Sequence, residues 1–133
     1  MTFFSNCISF CGKSHIDTNT FCQDATGIRT TDRYAIAVAA DGHGGQLYSR
    51  SNIGSKIAVK TSLDIIEQFV EEHGLKNYSE KAFKQLQYQI IEEWDTRIEE
   101  HLSRHPPLPQ EISKLKNNDN ERILYGSTLL IAV

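Results

Sequence analysis

Long apolar segments are missing from this sequence. No apolar run approaches the ~20 residues that a membrane-spanning helix needs. The first eleven residues include apolar side chains, but they lack a positively charged start and a small-residue cleavage site, so a signal peptide is not expected. These two absences lead us to expect a cytoplasmic protein.

Cysteine is also scarce, with only Cys7, Cys11 and Cys22 in the chain. An odd number of cysteines without an export signal is typical of reduced cytosolic thiols. Cys7 and Cys11 are close enough in sequence to share a structural zinc, but no second Cys/His pair completes a four-ligand pattern. The sequence therefore favours small buried hydrophobic side chains at these positions.

An excess of positive charge is absent as well. The 14 Lys and Arg are scattered and are outnumbered by 17 Asp and Glu, which gives a formal net charge of −3. A nucleic-acid-binding domain would show a basic face, so we expect neither nucleic acid nor a membrane as partner. Hydrophobic residues at 39% and charged residues at 23% are ordinary for a globular protein, and 133 residues suffice for one domain.

Two long consecutive helices are indicated by the spacing of apolar residues. The first runs from about Gln46 to His73, and Gly74 supplies a C-terminal stop. Ser79 opens the second helix, which carries the clearest amphipathic pattern in the chain and which prolines end from Pro106 onward. Its apolar stripe, which we interpret as plain core packing, consists of Phe83, Leu86, Ile90, Trp94, Ile98 and Leu102.

Strands are expected on both sides of the helices, in residues 3–10, 34–40 and 124–133, with an extended segment over 14–23. Turns are expected at Thr26-Gly27 and at 30–32, a short helical turn near Ile112 and Leu115, and a loop over 117–120. The continuous apolar run 34–40 predicts a strand covered on both faces. Because the two helices follow each other directly, the order favours an α+β fold, an antiparallel sheet with a helical layer on one face.

The turn Asp41-Gly42-His43-Gly44-Gly45 joins a predicted strand to a predicted helix. A carboxylate at a strand end is a rigidly held oxygen ligand that suits Mg²⁺ or Mn²⁺. Glycine lets the backbone approach an ion closely, and histidine can donate a proton near neutral pH. The alternative is that Asp41 only caps the next helix and that the glycines form a tight turn.

A second carboxylate, Asp24, ends the preceding extended segment, so Asp24 and Asp41 could lie at one edge of adjacent strands. Two ionised carboxylates ~5 Å apart repel by roughly 3 kcal/mol at an effective dielectric constant of ~20. Such a pair is expected to share a proton or a cation. Asp24 alone would be weak support, since an aspartate in a loop is usually solvated or capping.

Three segments together resemble the metal-dependent protein phosphatases, the type 2C or PPM family. The first is Gly12-Lys-Ser-His15 followed by Cys22-Gln-Asp-Ala25. The second and most specific is Ala40-Asp-Gly-His-Gly-Gly45 after an apolar strand. The third is Gly126-Ser-Thr-Leu-Leu-Ile-Ala-Val133, which follows the two helices. The three occur in the family's order, and the resemblance covers nearly the whole chain.

The resemblance implies an α-β-β-α four-layer fold, an antiparallel β-sandwich flanked by helices. It also implies hydrolysis of phosphoserine and phosphothreonine esters in phosphoprotein substrates, with two Mn²⁺ or Mg²⁺ ions. Carried over by position, Asp24 and Asp41 would be metal ligands, with Asp41 bridging both ions, and Gly42 would offer its carbonyl to one of them. His43 would protonate the leaving group, and a water bridging the metals would be the nucleophile.

Two departures from the family pattern shape the expectations. No arginine stands shortly before Asp24, and the first motif is more like that of bacterial members. Family members continue beyond the Gly-Ser-Thr strand into further aspartate motifs, so residues 1–133 are expected to be the N-terminal part of the phosphatase domain, with an incomplete metal site. Hydrolysis is therefore expected of the full-length protein, and weak or no activity of these residues alone. The alternatives are a non-catalytic module that binds partners and a metal-free structural domain. The open C-terminal strand predicts possible self-association.

Overall fold

The described part of the chain folds into a three-stranded antiparallel sheet with helices against one face. The structure is a computed structural model, and it describes residues 5–17, 21–76, 79–116 and 120–133. Its elements are α1 (Lys13–Asp17), β1 (Ala25–Thr30), β2 (Ala35–Ala40), α2 (Ser51–His73), α3 (Glu80–Arg104), α4 (Pro109–Ile112), a 3-10 helix (Glu121–Tyr125) and β3 (Leu130–Ala132). The α+β class expected from the sequence is therefore confirmed. None of the helices in the described ranges combines the length and apolar character that a membrane span requires.

The central strand β2 pairs with β1 on one side and with β3 on the other. Ala25 lies opposite Ala40 in the first pairing, and Val38 lies opposite Ile131 in the second. A tight turn joins β1 to β2, since the backbone N–H of Thr31 donates to the Tyr34 carbonyl at 2.9 Å. This turn confirms the predicted break at residues 30–32.

The core lies between the sheet and α2. Ile36, Val38 and Ala40 alternate along β2 and are almost fully buried. The opposite face is open in the described part of the chain, where Ala37 is exposed and Leu130 is 74% exposed. The expectation that this strand is covered on both faces is therefore wrong for the described residues. The error arises because alanines occupy the uncovered face. In sequence, a strand whose outward-facing residues are alanines has the same continuous apolar pattern as a strand covered on both faces.

The two long helices form as the sequence predicts, with small differences at their ends. The Ser79 side chain accepts a hydrogen bond from the Ala82 N–H at 3.2 Å and caps α3, and Gly74 ends α2 with φ of 78°. The start of α2 lies at Ser51, five residues later than expected, because the residues after the glycines form turns. Phe83 in the α3 stripe is 51% exposed, so the expected core packing does not extend to this end of the stripe.

Four expectations near the chain ends and in β1 are wrong, each for a local reason. Residues 5–10 are irregular rather than strand, and residues 1–4 lie outside the described part. Part of the expected extended segment forms α1, where the Ile16 N–H donates to the Gly12 carbonyl at 3.2 Å. The expected final strand begins with the 3-10 helix, because the Asn120 side chain accepts from the Arg122 N–H at 3.1 Å. Most of the expected loop before it, residues 117–119, is not described.

The fourth error concerns Gly27, which lies inside β1 rather than in a turn. A Cβ atom built at Gly27 would lie 2.6 Å from a methyl carbon of Val59 and 2.8 Å from one of Leu63. Both side chains belong to α2. The glycine therefore lets the helix pack closely on the sheet, which is a tertiary requirement that local sequence does not reveal.

Replacing Gly54 should destabilise the fold, because α2 contacts the 3-10 helix at this residue without room for a side chain. A Cβ atom at Gly54 would lie 1.9 Å from the Tyr125 carbonyl oxygen. We expect Gly54→Ala to lower the free energy of unfolding by about 3 kcal/mol through overpacking, although alanine favours a helix over glycine by about 1 kcal/mol. Urea denaturation measures the change, and Lys56→Ala at an exposed position of α2 is the control. A raised midpoint for Gly54→Ala would contradict the packing.

Candidate functional site

The two predicted carboxylates stand at adjacent ends of β1 and β2. Ala25 begins β1 and pairs with Ala40, which ends β2. The pairing continues beyond the strands, since the Gly42 N–H donates to the Gln23 carbonyl at 3.2 Å. Asp24 and Asp41 therefore lie directly opposite each other, as a pair of residues that exchange no backbone hydrogen bonds. In such a pair the two Cβ atoms are about 4.5–5.5 Å apart. Because side chains alternate along a strand, both point to the open face of the sheet.

The third strand reaches the same edge through Thr128. The Thr128 N–H donates to the Asp41 carbonyl at 2.8 Å, and its hydroxyl lies 3.3 Å from the same oxygen. An isolated bridge between Gly42 and Ser127 continues the register of β2 with β3. Asp41 is thus the middle residue of a row of three, with Asp24 on one side and Thr128 on the other.

An open cleft on this sheet face contains the carboxylate pair. Its volume is about 570 Å³, and more than half of the residues that line it are apolar. The residues that line it are Ile8, Ser9, Phe10, Asp24, Ala25, Thr26, Ala39, Ala40, Asp41, Thr128, Leu129 and Leu130. The structure therefore brings Asp24 and Asp41 into one cleft. Gly42 and His43 are not among the described residues that line it.

The pair has the donor chemistry for a divalent ion but too few ligands to hold one alone. Carboxylate oxygens suit Mg²⁺ and Mn²⁺, and Mg²⁺ requires octahedral coordination by oxygen. Within the described ranges, no group of three or more His, Cys, Asp or Glu side chains is placed to hold a metal. The two aspartates thus fit part of a metal site, and the remaining ligands would have to be water, backbone carbonyls or groups outside the described residues.

Gly42 is buried where the extension of β2 passes the backbone of Gln23. A Cβ atom at Gly42 would lie 2.5 Å from the Gln23 carbonyl oxygen and 2.8 Å from the Gln23 Cβ. A larger residue would push the two strand ends apart and separate Asp24 from Asp41. The structure therefore explains the glycine at position 42 by the close approach of Gln23. The sequence alone suggests a different reason, the close approach of an ion.

His43 lies two residues beyond Asp41, with its side chain exposed. The backbone N–H of His43 donates to the Gly126 carbonyl at 2.9 Å. Its ring meets the Tyr48 ring edge to face, with ring centres 4.9 Å apart and planes at 74°. Sequence reasoning missed Tyr48, because the helical pattern was taken to begin at Gln46, so that Tyr48 fell inside an expected helix.

A buried charge network behind this turn was also missed. The Arg50 guanidinium donates to the Glu111 carboxylate at 2.7 Å and to the Tyr125 hydroxyl at 2.8 Å. The hydrogen bond from Arg50 is the main cause that lowers the pKa of Glu111 to about 2. Hydrogen bonds from the Ser49 hydroxyl and the Leu108 N–H lower this pKa further, whereas burial raises it. The network joins the segment after the glycines to the segment before Gly126.

The cysteines lie on the N-terminal side of the site. All three are free, in agreement with the expectation of reduced thiols, but they are only half-buried, so the expectation of buried side chains is wrong. Burial, and then the proximity of Cys22, raise the pKa of Cys11. The Cys22 thiol lies 3.9 Å from the Asp24 backbone carbonyl.

Comparison with known protein families decides the family of the chain. The family model described as protein phosphatase 2C matches residues 11–133, which is most of the sequence. The chain belongs to the protein phosphatase 2C family. Searches among curated proteins and among solved structures gave no match. Family membership confirms the resemblance seen in the sequence and indicates a phosphatase in general terms; the protein phosphatase 2C family is generally Mn²⁺- or Mg²⁺-dependent.

Proposed function

We propose that this protein phosphatase 2C chain carries part of a site for the metal-dependent hydrolysis of phosphoserine and phosphothreonine in protein substrates. The observation that supports the proposal is the pairing of Asp24 with Asp41. Two carboxylates from separate strands occupy neighbouring positions and line one open cleft. Their mutual repulsion, roughly 3 kcal/mol at ~5 Å, favours a cation between them.

In this proposal Asp24 and Asp41 would hold Mn²⁺ or Mg²⁺, with Asp41 as the ligand that the ions would share, and the Gly42 carbonyl would contribute a further ligand. When bound, two such ions supply an activated water and neutralise phosphate charge. The protein contributes the alignment, because the pairing of β1 with β2 fixes both carboxylates at one sheet edge. His43 donates a proton to the oxygen of the leaving serine or threonine, a step for which an exposed imidazole at this edge is suited.

The open sheet face supports a proposal about the complete domain. Leu130 is 74% exposed and lies opposite Ala39, on the side away from α2. We propose that residues 1–133 form the N-terminal part of the four-layer phosphatase fold, in which a second antiparallel sheet packs on this face and adds metal ligands. Self-association through the β3 edge, which could pair with a strand of a second copy of the chain, is a separate proposal. We further propose a cytoplasmic location and a bacterial type of domain, consistent with the first motif.

A non-catalytic module that binds protein partners is the second candidate. It is favoured by one observation, the absence among the described residues of a group of three or more metal-ligating side chains. The two candidates differ in their response to Mn²⁺. A catalytic site needs the ion at the carboxylate pair, whereas a binding module has no need of it.

Mn²⁺ should stabilise the chain through Asp24. At an ion concentration about ten times its dissociation constant, binding to the native state contributes about 1.4 kcal/mol, which raises the melting temperature by about 5 °C. We expect Asp24→Asn to remove most of this shift and Asp32→Asn, at an exposed aspartate in the β1–β2 turn, to retain it. Thermal unfolding with and without Mn²⁺ measures the shift, and hydrolysis of p-nitrophenyl phosphate is measured on the same samples. An equal shift in all three proteins would refute the site.

A further inference from the structure

The His43 imidazole rests against a surface formed by two residues from different parts of the chain. A Cβ atom at Gly126 would lie 2.6 Å from His43 Nδ1 and 3.1 Å from the Tyr48 ring. The bare backbone at position 126 is therefore what admits the imidazole and the phenol ring together. We call Gly126 and Tyr48 the imidazole seat.

The Tyr48 ring restricts how the imidazole can turn. The two rings meet edge to face with centres 4.9 Å apart, and an aromatic pair in this geometry contributes about 0.5–1.5 kcal/mol beyond its buried area. An exposed histidine without such a contact would exchange among several side-chain rotamers. The contact therefore favours one orientation of a side chain that is otherwise open to solvent.

The seat itself is fixed by the segment that follows Tyr48. The Arg50 N–H donates to the Leu124 carbonyl at 2.9 Å, and the Arg50 side chain donates to the Tyr125 hydroxyl at 2.8 Å. These bonds tie the residues beside Tyr48 to the residues beside Gly126. These bonds therefore fix the position of Tyr48 relative to Gly126. The backbone N–H of His43 donates to the Gly126 carbonyl and fixes His43 relative to both.

We propose that Tyr48 is a positioning residue for His43, and that Gly126 serves the same purpose by leaving room for the imidazole. The inference rests on the proposed function, in which His43 protonates the leaving alkoxide. An imidazole held in one orientation donates its proton more often in productive geometry than one that rotates freely. Removing the Tyr48 ring should therefore slow only those reactions whose leaving group needs the proton.

Two phosphate esters separate this role from ordinary packing. Phenyl phosphate has a basic leaving group that benefits from protonation, whereas p-nitrophenolate leaves readily without it. With Mn²⁺, we expect Tyr48→Leu to lower kcat on phenyl phosphate about tenfold, a part of the 10²–10⁴-fold that general acid catalysis contributes. Turnover of p-nitrophenyl phosphate and KM for both esters should stay within about twofold. Tyr48→Phe keeps the ring and should restore the phenyl phosphate rate.

The matched control is Tyr88→Leu, at a tyrosine of α3 that is 68% exposed and remote from the seat. It should leave the ratio of the two rates unchanged. An equal loss on both esters in Tyr48→Leu, or no loss on either, would overturn the positioning role. Tyr48→Phe behaving like Tyr48→Leu would overturn it as well, because the ring would then not be the active feature.

A nuclear magnetic resonance measurement distinguishes failure of this inference from failure of the proposed function. The Tyr48 ring current should shift the His43 ring protons in the wild-type chain and in Tyr48→Phe, and the shift should vanish in Tyr48→Leu. These rates are measured on a longer chain that contains the complete domain. If that wild-type protein hydrolyses neither ester with Mn²⁺, the proposed function fails and the proton-donor role fails with it. If the wild type is active and the His43 shifts are the same in all variants, the seat is refuted while the proposed function stands.

Discussion

Asp41→Asn is expected to abolish Mn²⁺-dependent phosphatase activity, with kcat/KM falling by more than about a hundredfold. Changes to residues that only support metal ligands cost 10–100-fold in metal affinity or activity, and Asp41 is proposed to contact both ions directly. It occupies the middle of the row formed with Asp24 and Thr128, and its loss leaves Asp24 as the remaining carboxylate of the pair. Kinetics on p-nitrophenyl phosphate and calorimetric titration with Mn²⁺ measure the two effects separately.

The fold should survive this substitution. The Asp41 side chain is exposed, and the bond that joins it to Thr128 uses its backbone carbonyl, which asparagine retains. The far-ultraviolet circular dichroism and the urea midpoint without metal should therefore match the wild type. Asp32→Asn, which makes the same chemical change on the same hairpin, is the control for both measurements. Near-normal turnover or unchanged Mn²⁺ affinity in Asp41→Asn would refute the assignment of this residue.

Glu111→Gln is expected to lower the free energy of unfolding by about 3 kcal/mol. The side chains of Arg50 and Glu111 are only 11% and 9% exposed, and removing one partner of a buried ion pair costs about 3–5 kcal/mol because the other charge is left uncompensated. The Arg50 guanidinium also donates to the carbonyls of His105 and Pro106, which retain part of its hydrogen bonding. Urea denaturation at neutral pH measures the loss.

An exposed ion pair supplies the control for this substitution. Glu80 and Lys84 form an i,i+4 pair whose side chains are 84% and 64% exposed. Exposed pairs contribute about 0–1 kcal/mol, so Glu80→Gln should change stability by well under 1 kcal/mol. Equal effects of Glu80→Gln and Glu111→Gln would show that burial of the Arg50 pair does not matter for stability.

The Arg50–Glu111 pair should also make the stability of the fold depend on pH in the acid range. Hydrogen bonding from Arg50 lowers the pKa of Glu111 from 4.5 to about 2 in the folded state. Because the folded pKa is the lower one, the stabilisation is fully present above pH 4.5 and is lost as pH falls from there toward 2. A shift of this size corresponds to about 3 kcal/mol. The wild-type and Glu111→Gln stability curves should therefore converge in this range, while Asp64, whose pKa is also lowered, affects both equally.

The sequence predicted those features that depend on neighbours along the chain. The cap at Ser79, the stop at Gly74 and the pairing of Asp24 with Asp41 arise from local hydrogen bonds or from a single hairpin. The amphipathic spacing of α2 and α3 was sufficient to place both helices on one sheet face. Each of these follows from residues a few positions apart or from one short turn.

Features that depend on distant residues could not be predicted in this way. Gly27 looks like a turn residue until Val59 and Leu63 are known to pack against it. Arg50 and Glu111 look like ordinary surface charges, because nothing local indicates that residues so far apart meet in a buried pair. Leu124 and Tyr125 have the composition of a strand, yet they are buried in a 3-10 helix against α2.

The hairpin that brings Asp24 and Asp41 together closes a loop of 17 positions, whereas the contact between His43 and Gly126 closes one of 83. The loop-closure entropy of the longer connection is larger, and it also depends on the correct docking of the last segment of the chain. Partial unfolding that begins at the C-terminal segment would therefore release the imidazole while leaving the two acidic groups in place. Metal capture and proton donation should then be lost at different denaturant concentrations, with proton donation lost first.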